Sequence, residues 1–210
     1  MRRLKYVPVI HAGVEMGSLH GTLKAEYIKK FGIQKWDEHN RIIEDFWQGI
    51  RKKVFDLNLD YPCTRLYQDG LPVCGREMDL VQELVKMGSP NHQILMDLIH
   101  LGAKLEGTED PKLLVEEYHF LKNATADPQD QQTRRRYQQL AKKILQNRDS
   151  FVGRRIDETL KEGETGLLFM GITHRVDKNL PGDIEIDYVI YRLPFKEGLF
   201  PYEKKGEGDS

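Results

Sequence analysis

The chain is poor in the features that most readily classify a protein. It has two cysteines in 210 residues, Cys63 and Cys74, in neither a C-x-x-C nor a zinc-ribbon arrangement. They are read as reduced, structural thiols, and a disulfide between them would require an oxidising compartment. No stretch is apolar for long enough to span a bilayer. Met-Arg-Arg-Leu-Lys-Tyr-Val-Pro-Val-Ile enters a strand at once, with no apolar leader and cleavage site, so a cytoplasmic location is expected. There is no G-x-G-x-x-G, no P-loop and no G-x-S-x-G nucleophile elbow, which argues against a nucleotide-binding enzyme or an ordinary serine hydrolase. No sign of charge dominates: the formal net charge is −1, so no global field would draw nucleic acid or an anionic membrane. Internal repeats are missing as well.

What remains is a charged chain, 31% Asp, Glu, Lys and Arg against 39% hydrophobic residues, suited to a globular fold with long solvated helices. The pattern predicts strands at Leu4 to Ile10, Cys63 to Gln68, Lys104 to Thr108, Leu167 to Ile172 and Ile184 to Tyr191. Pro8 suggests that the first strand lies at an edge or carries a bulge. Apolar residues at Ile43, Phe46, Ile50, Val54 and Leu57 predict an amphipathic helix from Gln34 to about Leu57. Glu77 to Val85 is a short helix stopped by Gly88, and Ser89-Pro90 opens another that ends near Gly102. Ser18 is placed to cap the helix after the first loop. A helical arm covers Asp127 to Leu160, with a break near Gly153. The alternation implies a single α/β domain over residues 1 to 202, with a mixed, mostly parallel central sheet flanked by long helices and a disordered polar tail from 203 to 210.

Leu167 to Ile172 reads as a strand buried on both faces, which belongs inside a parallel sheet. Gly171 permits close approach of another group near its end, and His174 then emerges at the carboxyl edge, where open α/β folds hold ligands. His11 also follows an apolar strand. With Glu15, Glu109 or Asp110, the two histidines make a candidate set of nitrogen and oxygen ligands for a divalent metal, with His11, His174 and Asp110 as the ligands. The alternative is that each histidine only caps a strand end, and that Glu109 and Asp110 only favour the positive end of the following helix. His20, His39, His92, His100 and His119 lie on helices at unrelated spacings and read as ordinary histidines. Arg134 to Arg136 and the basic residues after them interleave with acids, as a solvated helix face does.

Two segments bear a family resemblance. Arg148-Asp149-Ser-Phe-Val-Gly-Arg-Arg-Ile156, followed after a short turn by Leu-Leu-Phe-Met-Gly171-Ile-Thr-His174, resembles the C-terminal signature of TraB-like proteins. That signature comprises an Arg-Asp pair at a helix start, an apolar strand and Gly-x-x-His. These proteins look related to the wider grouping of erythromycin esterases, ChaN and Tiki. Gly102 to Asp110 is similar to the strand of that grouping that ends in an acidic residue. The chain departs at Pro8-Val-Ile-His11, where the family carries a first Gly-x-x-His, and Asp69 is the nearest candidate for the acid of the next strand. The resemblance implies a sheet-edge site built from His11, His174, an acid and an arginine.

These readings lead to a hydrolase, metal-dependent in one version, in which His174 and His11 bind metal or act as acid and base. Glu15 or Glu109 would polarise water, and Arg148 would orient an anionic group or steady the acid. The same pocket in a non-catalytic protein would hold a small anionic ligand, or a haem as the ChaN relatives imply. A third reading is an interaction protein that dimerises through the helical arm. A small molecule or a peptide is the expected substrate, with homo-oligomers allowed and neither nucleic acid nor membrane expected as partner.

Overall fold

The structure is a computed structural model and describes residues 1–11, 15, 19–124 and 131–192. Ser18, Asp127 and the tail from 203 to 210 lie outside the described residues. Five strands, β1 (Arg2–Val9), β2 (Thr64–Gln68), β3 (Lys104–Leu105), β4 (Thr165–Gly171) and β5 (Ile184–Tyr188), form one sheet in the order β3-β2-β4-β1-β5. The expected α/β class and mostly parallel sheet are present. Among the described residues every strand pairing is parallel, so no antiparallel strand makes the sheet mixed. All five carboxyl ends therefore open on a single edge.

β4 lies at the centre, and residues Gly166 to Gly171 are all buried. Its side chains alternate between two cores, as the period of two requires. Leu167 and Phe169 join Val7, Val9, Leu66 and the helix residues Phe46, Ile50, Ile94 and Leu98 on one face. Leu168 and Met170 join Leu4, Tyr6, Tyr67, Val152 and Ile156 on the other. The first face is covered by α2 (Ile33–Phe55), whose buried residues Ile43, Phe46, Ile50 and Val54 are the predicted stripe, and by α4 (Pro90–His100), capped by Ser89. α1 (Leu19–Phe31) packs on α2, and α3 (Glu77–Lys86) on α4.

The second face is covered by α6 (Gln131–Thr159), with α5 (Pro111–Ala124) beside it. Residues at steps of four, Arg148, Val152, Ile156 and Leu160, turn toward the sheet. Of the arm's apolar residues, Ile144, Val152, Ile156 and Leu160 are buried, Tyr137 and Phe151 are half-buried, and Leu140 is exposed. Gly153 does not break the helix. A Cβ there would sit 2.7 Å from the Asn179 carbonyl oxygen, so glycine lets α6 nest against the 3-10 turn Val176–Asn179.

Two strand expectations change. β1 is internal, not an edge, and Pro8 is accommodated because β5 pairs β1 only through Tyr6. The carbonyl of Val9 faces β4 and that of Tyr6 faces Val189, so the donor that Pro8 lacks would point to the side that β5 has already left. β3 is only two residues long. Beyond it the backbone leaves regular pairing, and the Thr108 and Glu109 N–H groups both donate to the Leu71 carbonyl. This turns Glu109 inward, fully buried.

Candidate active site

Five segments converge at the carboxyl edge. His11 follows β1, Asp69 follows β2, Glu109 follows β3, Gly171 and His174 close β4, and Arg148 and Asp149 come from the middle of α6. The Arg-Asp pair does not start a helix, as the resemblance implied. α6 is long enough to carry it up from Val152 and Ile156, which pack beneath the sheet, to the open edge. Asp69 is the hub. One carboxylate oxygen accepts from Arg148 at 2.6 Å, and the other accepts the Gly171 N–H at 2.9 Å and the His11 Nε2–H at 3.0 Å. His174 Nε2 stands 3.6 Å from that second oxygen. Glycine at 171 is required by contact: a Cβ would lie 2.9 Å from Asp69 Oδ2 and 3.3 Å from His11 Nε2.

Arg148 is ringed by carboxylates. Its Nε donates to Glu109 at 2.8 Å, Nη1 donates to both oxygens of Glu117, and Nη2 donates to Asp69 and Glu109. Every nitrogen of the guanidinium thus donates to a carboxylate. Of the two roles expected for Arg148, steadying the acid is the one this geometry serves. Glu109 also accepts the Gly70 N–H at 3.1 Å and has no face toward open space. It anchors Arg148 and cannot polarise a water. Burial, with Asp69 adjacent, raises the Glu109 carboxyl despite its bonds to Arg148. Burial opposes ionisation of Asp69 too, but His11, His174 and Arg148 outweigh it and hold that carboxyl well below its usual range.

The two histidines differ in setting. His11 is clamped between carboxylates, with Nδ1 3.2 Å from Glu15 and Nε2 3.0 Å from Asp69. Burial alone would lower this imidazole, but Asp69 and Glu15 outweigh burial and raise it to about 10, so it is a cation at neutral pH. His174 has Nδ1 2.6 Å from Asp149 Oδ1, while Asp149 Oδ2 accepts the Arg175 N–H at 2.9 Å. Held on both oxygens, Asp149 keeps the proton of His174 on Nδ1 and leaves Nε2 on the side of Asp69, in a ring that lines the cavity. Burial lowers the His174 imidazole, but the Asp149 bond and the charge of Asp69 outweigh it, for a net rise.

His92 does not behave as an ordinary histidine. It is buried, with Nδ1 2.8 Å from Ser89 Oγ, and Ser89 donates to Glu15 at 2.6 Å. Glu15 is thereby tied on both oxygens, to Ser89 and to His11, and is not open to polarise water. Burial pushes the Glu15 carboxyl up, but His11, His92 and Ser89 outweigh it and bring it to about 2. Asp110 stands apart from the cluster: its side chain accepts the Lys112 N–H at 2.8 Å and caps α5. The ligand set His11, His174 and Asp110 is therefore not brought together. Among the described residues no group of three or more His, Cys, Asp or Glu side chains is placed to hold a metal ion. Asp69, the one carboxylate between the histidines, already binds a guanidinium, which would repel a divalent cation. The donor set does not fit one.

This polar knot forms the floor of a cavity of about 920 Å³. Its walls change character away from the sheet. Ile43, Leu80, Leu84, Leu114, Tyr118, Leu121 and Leu145 line it, and Tyr27, Trp36 and His39 form an aromatic cluster with ring centroids 5.5 to 5.8 Å apart. Burial lowers the His39 imidazole, which keeps that ring neutral. No family model, no curated protein and no solved structure matches the chain.

Proposed function

We propose that this protein is a cofactor-independent hydrolase acting on an ester or amide carbonyl. The observation that carries this reading is the orientation of His174. Its Nδ1 is held by Asp149, its ring lines the cavity with Nε2 on the side of Asp69, and its basicity lies above that of a free imidazole. A base so oriented takes a proton from water as the water oxygen bonds to the substrate carbonyl carbon. His174 then gives that proton to the leaving oxygen or nitrogen as its bond to that carbon breaks, which leaves the base as it began. The His11 imidazolium, with both ring nitrogens bonded to carboxylates, keeps its protons and sets a fixed positive charge beside the developing oxyanion. Asp69 fixes His11 and sits beside the His174 ring, so the charge and the base stay at one spacing. The resemblance to TraB-like proteins and the erythromycin-esterase grouping supports the same reading, since it too implies a sheet-edge site of two histidines, an acid and an arginine.

The test is release of p-nitrophenolate from p-nitrophenyl butyrate, before and after exhaustive chelation. Wild type is expected to turn over with or without chelation, and His174→Ala to lose about 10²- to 10⁴-fold, the usual contribution of a positioned general base. Activity that vanished on chelation and returned with zinc or manganese would restore the metal-dependent version. No turnover at all, with a stoichiometric small ligand or haem retained on purification, would favour a binding protein that uses the same pocket.

A further inference from the structure

The charges on the cavity floor and the walls above it narrow the class of molecule that can enter. Among the described residues, five carboxylates, Glu15, Asp69, Glu109, Glu117 and Asp149, surround the floor, against four basic side chains, His11, His92, Arg148 and His174. At the rim, Glu26 and Lys30 offset one another. The guanidinium that would normally receive a carboxylate or phosphate already has each of its nitrogens bonded to a carboxylate of the protein. An anion reaching this floor would lose its water and gain no charged hydrogen bond in return.

The opposite end favours an apolar body. Leu114, Tyr118 and Leu121 of α5 line the cavity, and Tyr118 and Leu121 are 40% and 42% exposed. The entrance is thus itself an apolar lip, continuous with the neutral aromatic cluster around Trp36. From the carboxylate-bound arginine, the carboxylate excess and this lip, we propose that the cavity selects uncharged carbonyl compounds with an extended apolar body and rejects those bearing a carboxylate or phosphate. The inference rests on the hydrolase reading for the fate of the bound carbonyl, but the selection itself is a property of binding.

Two probes of equal length separate the terms: methyl heptyl ketone, which cannot be hydrolysed, and nonanoate. Binding is followed by tryptophan fluorescence, with Trp36→Phe as the control that the signal arises in the cavity. The ketone is expected to bind at least about tenfold more tightly than nonanoate at neutral pH. Glu117→Gln removes one negative charge and frees one Arg148 donor, so it should narrow that ratio severalfold. Nonanoate binding as tightly as the ketone, or neither probe binding, would overturn the inference. Ketone binding in a protein that hydrolyses no ester would keep the inference and sink the hydrolase. Equal hydrolysis of p-nitrophenyl butyrate and the mono-p-nitrophenyl ester of succinate would keep the hydrolase and overturn the inference.

Discussion

Arginines among carboxylates occur at both ends of the sheet, and the two settings do different work. At the amino end Arg65 pairs with Glu164 and Glu106, and Arg2 with Asp157 and Asp183. The side chains of Arg65 and its partners are 14% to 16% exposed, and those of Asp157 and Asp183 are 50% and 60% exposed. Water shares the charges of Asp157 and Asp183, no histidine joins either cluster among the described residues, and the pairs tie strand starts to neighbouring loops. At the carboxyl end the Arg148 side chain is 6% exposed, Asp69 4% and Glu109 0%, and two imidazoles complete the cluster under a cavity. Ion pairs alone do not mark a site. What marks this one is the coincidence of desolvated charge, imidazoles with unequal partners, and open space.

The comparison breaks most visibly at the two arginines. Arg148→Ala would leave the carboxylates of Asp69 and Glu109 buried without their counter-ion. It is expected to cost about 3–5 kcal/mol in urea unfolding and to abolish turnover. Arg2→Ala leaves the carboxylates of Asp157 and Asp183, half or more exposed, to water, and is expected to cost about 1 kcal/mol or less with turnover intact. Similar losses for both would mean that the two ends are alike after all.

A smaller effect sharpens the contrast on a single atom. Gly171→Ala drives a methyl group against Asp69 Oδ2 and His11 Nε2. The expected cost is about 1–3 kcal/mol, as for other overpacked sites. Turnover should fall by about tenfold or more, because the shift lands on the groups that hold His11. Gly153→Ala meets the Asn179 backbone on the structural side of α6 and should destabilise without a specific loss of turnover. Activity that tracks stability equally in both variants would argue against a pre-set site at residue 171.

Much of this architecture is legible in the chain because it follows from local pattern. The doubly buried strand at Leu167 to Ile172, the stripe of α2 and the Ser89-Pro90 helix start all depend on residues close in sequence. Placing His11 and His174 at strand ends was enough to bring them to one edge once the sheet proved parallel. The partners were harder to find, since they depend on geometry across the fold. Asp110 is as acidic as Glu109 and adjacent to it, yet one caps α5 while the other turns inward on the Leu71 carbonyl. Asp69 follows a strand in an apparent turn, and only the crossing of α6 above it reveals why it is buried. His92 has no ligand-like spacing. Its signal was its place three residues after the N-cap Ser89, within reach of a side chain from the loop after β1.

The most direct test of the central claim, that Asp149 orients His174 as a base while His11 remains a cation, is the pH dependence of ester hydrolysis in wild type and Asp149→Asn. Loss of a proton from His174 switches activity on as pH rises, and its raised pKa sets that limb above the ordinary imidazole range near 6.5. Loss of the His11 proton switches activity off near pH 10. The account predicts a bell with an alkaline optimum. In Asp149→Asn the lower limb should move toward more acidic pH and the maximum rate should fall, with the upper limb in place. A flat profile, or a lower limb unmoved by Asp149→Asn, would contradict it.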